Sequence, residues 1–144
     1  MAAKPRPLPV TGYSMLHALG GTRQEIVDAL RAGRGGLTAP RDPLPFDTVV
    51  GAVRTELPPL PAELEPWDTR IARMAAYLVA ELSEPLRRAR NRWRPERIGV
   101  FLGTSTAGAQ TTEAAFRTYV ETGTFPRVYD FHRQHTYGAV LPSP

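Results

Sequence analysis

The sequence predicts an α/β fold. Short apolar runs that read as strands alternate with amphipathic stretches that read as helices. Fifteen prolines and twelve glycines punctuate the connections between them. Hydrophobic residues make up 42% and charged residues 22% of the chain, both ordinary values for a globular protein. At 144 residues the length is that of one domain able to bury a core, and no internal repeat divides it.

The elements follow in order. LPVTGY (8–13) reads as a short strand turning at Gly12, with Pro9 confining it to a strand start or an edge. GTRQEIVDALRAGRGG reads as a helix: Thr22 and Glu25 form a T-x-x-E capping box, Ile26, Val27 and Leu30 give the apolar face, and Gly33 ends it. Prolines make a loop from Thr38 to Pro45, and FDTVVGAV then reads as a second strand. ELPPLPAELEP is an extended connection.

A second helix follows, with Trp67, Ile71, Met74, Leu78 and Leu82 at helical spacing and Asp68 or Thr69 as its N-cap. Pro85 ends or kinks it. EPLRRARNRWRPER is strongly basic and leads into RIGVFLG, a run suited to a strand buried on both faces. Residues 109–121 form a third helix, closed by Gly123.

Composition excludes several chemistries. The chain has no cysteine, which removes disulfides, Cys-ligated zinc, iron–sulfur clusters and any thiol nucleophile of its own. The net charge is +4, and since Lys4 is the sole lysine the basic character is almost all arginine. MAAKPRPLPV has no apolar core of a secretory signal, and MAAYLVA, the longest apolar stretch, is far short of a membrane span. The expectation is a soluble, cytoplasmic protein.

RIGVFLGTSTAGAQTTEAAF (97–116) carries the strand–turn–helix pattern of a phosphate cradle or a substrate pocket. GTSTAG satisfies G-x-x-x-x-G, but Ala109 and Gln110 stand where a phosphate-binding loop needs Lys and then Ser or Thr, so nothing would reach the outer phosphates or magnesium. Ser105 lies in T-S-T and not in G-x-S-x-G, which argues against a nucleophile elbow. A tightly packed turn of small residues is the local reading.

Several segments together resemble the β-ketoacyl-acyl-carrier-protein synthases of the thiolase-like superfamily. Thr11-Gly12, Leu19-Gly20 and Arg31-Ala32-Gly33-Arg34-Gly35-Gly36-Leu37 match the family's opening strand, turn and post-helix glycines. WDTRIARMAAYLVAEL resembles its D-R-x-x-x-x-A-x-x-A helix. Arg97-Ile98-Gly99-Val100 with Gly103-Thr104-Ser105-Thr106-Ala107-Gly108 resembles R-v-G-v-x-x-G-t-s-t-s-G, and YDFHRQHTYGAVL resembles the approach to the nucleophile. The likeness runs from about residue 8 to 141.

The resemblance implies the N-terminal part of a thiolase-like fold, a mixed sheet covered by helices, with residues 1–144 forming the N-terminal portion of a ketosynthase domain. Family members condense an acyl thioester with malonyl-carrier protein through a cysteine thiolate and two histidines. This chain reaches LPSP before any cysteine, and His17, His132 and His135 do not correspond to those histidines. The expectation is therefore a fragment that is catalytically incompetent and marginally stable alone, with no catalytic residue, metal or cofactor of its own. A non-catalytic partner subunit like the chain-length factors, and a small basic nucleic-acid-binding module, are the alternatives.

Thr106 falls at a position lining the family's acyl pocket, with helix N-capping as its other role. His132 and His135 are three apart but lack a third ligand of matching quality nearby, and hydrogen-bonded histidines are the favoured reading. The expected partners are acyl carrier protein and a second subunit, as a homodimer or a ketosynthase heterodimer, with 109–137 at the interface. Neither nucleic acid nor a membrane is expected. The arginines 87, 88, 90, 92, 94 and 97 read first as a solvated helix end, then as a surface steering an acidic carrier protein or attracting nucleic acid. Trp93 is expected to pack under the neighbouring loop.

Overall fold

The computed structural model describes residues 7–101, 103 and 108–129. Among these the regular structure is helical: α1 (Arg23–Arg31), α2 (Arg70–Glu81), α3 (Ser83–Arg92) and α4 (Ala109–Thr122), with 3-10 turns at Ala62–Trp67 and Pro95–Arg97.

The capping box forms at α1. The Thr22 hydroxyl accepts from the Glu25 N–H at 3.3 Å, and Glu25 Oε2 accepts from the N–H groups of Thr22 (3.1 Å) and Gly21 (2.9 Å). These backbone donors, Gly21 first, hold the Glu25 carboxyl below its ordinary range. At the other end Gly33 adopts φ +63°, a conformation that side chains disfavour. It closes a Schellman motif in which the N–H groups of Arg34 and Gly33 donate to Ala29 O (2.9 Å) and Leu30 O (3.1 Å). Thr22→Ala is expected to cost about 1 kcal/mol by urea denaturation, because the Glu25 N–H in the first turn loses its fixed acceptor.

At α2 the structure resolves the choice of cap. Thr69 Oγ1 accepts from the Ala72 N–H at 3.3 Å, while Asp68 turns to Arg73, whose Nε and an Nη donate to its two oxygens at 2.6 Å each. That charge-assisted pair lowers the Asp68 carboxyl against an opposing burial effect, and the Leu60 N–H adds to the lowering. A depressed folded value gives stability that is complete above the ordinary value of 3.8 and lost as the pH falls through the folded value. Asp68→Asn is expected to flatten the acid limb of stability below about pH 4, measured by urea midpoints across that range.

α2 ends at Glu81 because Pro85 cannot donate to the Glu81 carbonyl and its ring would crowd that group. The chain restarts as α3, with Pro85 in the first turn, where a missing N–H costs nothing. Trp67 lies in a 3-10 turn outside the helix.

The expected strands differ from what the structure contains. Pairing among the described residues is limited to the isolated bridges His17–Gly20 and Thr38–Val50, and the expected mixed sheet is not present among them. Residues 8–13 form no strand and are exposed, Leu8 and Val10 strongly so. FDTVVGAV contributes only Val50 to a bridge. The run at Arg97–Gly103 is not buried on both faces: Ile98 is half-buried, but Phe101 is 95% exposed. A strand is stable only when its backbone groups find a neighbouring strand, and these segments have none among the described residues.

The buried hydrophobic set is correspondingly small: Ile26, Ala29, Leu60, Ala72 and Ala115. Ile26 and Ala29 lie on α1, Leu60 just before the first 3-10 turn, Ala72 on α2 and Ala115 on α4. Ser14 Oγ, donating to Leu78 O at 3.1 Å, fastens the N-terminal segment to α2. No helix among the described residues is long and apolar enough to cross a membrane.

Candidate functional site

A cavity of about 250 Å³ lies between the first turns of α2 and α4. Ile71 and Met74 project from α2 and supply its apolar wall, with Thr69 and Arg70 at the helix start. The α2 turn is held in place by Arg70, which donates to Val53 O at 2.8 Å, and by the Asp68–Arg73 pair. Gly108 to Thr111 form the opposite wall. Gly108 is buried at φ +72° and starts α4 without a side-chain cap. A β-carbon there would be strained by that backbone conformation, which explains a glycine at the end of the small-residue turn. The Thr112 and Tyr129 hydroxyls are 3.1 Å apart and tie α4 to the segment after it.

Two helix N-termini and one arginine give this cavity a positive polar edge against an apolar wall. The arrangement suits an apolar ligand body with a carbonyl or anionic head. Among the described residues its lining contains no histidine, carboxylate or cysteine. Among the described residues no group of three or more His, Cys, Asp or Glu side chains could hold a metal ion.

The sequence-derived candidates are placed unevenly. Thr106 lies outside the described residues, as do Ser105, His132 and His135. His17 is engaged in a tight turn, where its Nδ1 accepts from the Leu19 N–H at 3.3 Å. The arginine-rich segment is on α3 and its following turn, away from the cavity lining. Trp93 is not tucked under a loop: it is 47% exposed, with the Arg92 and Arg97 guanidiniums 5.2 and 5.9 Å from its ring centre.

Sequence reasoning missed Ile71 and Met74 as pocket residues. Their helical spacing marked them as a packing face, and that same spacing could not distinguish a face against protein from a face against a cavity. No protein-family model, curated protein or solved structure matches this chain.

Proposed function

We propose that this chain forms the acyl-pocket portion of a β-ketoacyl-acyl-carrier-protein synthase-like enzyme with a thiolase-like α/β fold, and that it does not perform the condensation by itself. The observation that carries the reading is the cavity. Two separate stretches of the sequence resemble the synthases, the helix from Trp67 and the turn ending at Gly108; residues of that helix and Gly108 itself line it. Ile71 and Met74 would hold the acyl chain, and the polar edge would receive the thioester end. Thr106 belongs to the same turn in this reading, as a further pocket residue.

The chemistry sets the division of labour. Condensation needs a thiolate that is both nucleophile and leaving group, and this chain has no cysteine. Its contribution is to hold and orient the acyl group. Acyl carrier protein is the proposed substrate carrier. A second subunit is the proposed partner at α4, where Phe116, Tyr119 and Phe125 form a contiguous exposed aromatic group with ring centres 4.7 to 5.1 Å apart. Large apolar surface left exposed beside such a cluster is what an interface covers.

The test is enzymatic. The purified chain is expected neither to condense malonyl-carrier protein with an acyl thioester nor to release carbon dioxide from it. Either activity overturns the proposal.

A further inference from the structure

We infer that the outer face of α3 and the turn after it bind single-stranded nucleic acid, with phosphates along the arginines and a base on Trp93. This goes beyond the acyl-pocket reading and uses a different surface. Leu82, Pro85 and Ala89 make the inward, half-buried stripe of α3, whereas Arg87, Arg88, Arg90 and Arg92 are exposed around its outer arc. Residues 83–97 hold six arginines against two glutamates, an excess equal to the whole chain's net charge of +4.

That charge is only partly neutralised. Glu84 pairs with Arg87 and, at 3.6 Å, with Arg88. Arg90, Arg92, Arg94 and Arg97 make no ion pair among the described residues. Trp93 ends the helix, its backbone N–H donating to Ala89 O at 2.9 Å, and the indole is partly exposed, with the Arg92 and Arg97 guanidiniums 5.2 and 5.9 Å from its ring centre.

An exposed aromatic ring set in a strip of unpaired cations is the combination that binds unpaired bases, since the ring stacks and the cations follow the phosphates. Charge alone would also attract an acidic protein; the exposed indole set among the cations is what favours unpaired bases, which can stack on it. A duplex keeps its bases stacked internally, so the ring selects a single strand. α3 spans about 15 Å, which limits the site to a few nucleotides.

The experiment is fluorescence anisotropy of a labelled oligothymidylate with the full chain across a salt series. Binding should weaken with a slope of about −0.7 per phosphate neutralised. Arg90→Ser with Arg94→Ser should bind roughly tenfold more weakly and with a shallower slope. Arg34→Ser with Arg41→Ser, which removes the same charge elsewhere, should bind like the parent. Trp93→Leu should lose roughly tenfold with the slope unchanged. Both arginines of the first pair are exposed, so that variant carries the test even where Trp93→Leu loses helix content. The inference is overturned by absence of oligonucleotide binding, by equal loss in the two arginine pairs, or by equally tight duplex binding. It is also overturned when polyglutamate of matched charge competes as well as unlabelled oligothymidylate, which would assign the face to an acidic protein.

Discussion

Replacing Ile26 by alanine is expected to destabilise the protein by about 2–4 kcal/mol, enough to remove most of its cooperative urea transition. Ile26 is 4% exposed, and Leu60 is the one other large side chain in the buried hydrophobic set; the remaining members are alanines. Such a core has few neighbours able to collapse into the space an isoleucine leaves, so the cavity cost adds to the lost transfer energy. Val27→Ala, one position along on the half-buried side of α1, is the comparison and should cost clearly less. Equal losses at the two positions would show that the core is not centred on Ile26.

Gly21→Ala is expected to cost about 1–3 kcal/mol, and the cost should depend on Thr55. Gly21 is buried at the start of α1, where a methyl group would lie 2.6 Å from both Cγ2 and Oγ1 of Thr55 and 2.8 Å from the Tyr77 hydroxyl. Those side chains come from the loop and from α2, so three parts of the chain converge on one missing β-carbon. Tyr77 is itself in a sheltered position: burial pushes its phenol above the usual value, and the Glu81 and Glu25 carboxylates add to the effect. Thr55→Ala should relieve much of the overlap, giving a coupling of about 1 kcal/mol or more in a double-mutant cycle. Strict additivity would mean that Gly21 and Thr55 do not meet in solution.

What the sequence revealed divides by the range of the interaction. The α1 cap, its closing Gly33 and the end of α4 at Gly123 were all legible, because each depends on residues within a few positions of one another. The α2 stripe was legible as a helix, yet its cap was ambiguous until Asp68 was seen to spend its carboxylate on Arg73. α3 was not legible as an element because half of its exposed residues are arginines, which obscure any apolar period. Its inward stripe of Leu82, Pro85 and Ala89 also contains a residue that ordinarily argues against a helix.

The strands were the least legible elements. FDTVVGAV and RIGVFLG have the composition of strands, but a strand also needs a partner, and local composition does not name one. The site shows the same division. Gly108 was legible as the close of the small-residue turn, while its sharing a cavity with Ile71 and Met74 is a long-range fact that no spacing encodes.

The proposed acyl pocket, formed by Gly108 and the start of α2, is open to photo-crosslinking of the full chain with a medium-chain acyl pantetheine thioester carrying a diazirine in its tail, the adducts being mapped by mass spectrometry. Saturable labelling is expected on both walls, at Ile71–Met74 and at Ala109–Thr111, competed by the unlabelled thioester. Labelling confined to the exposed aromatic face of α4, or none that competes, would contradict the proposal.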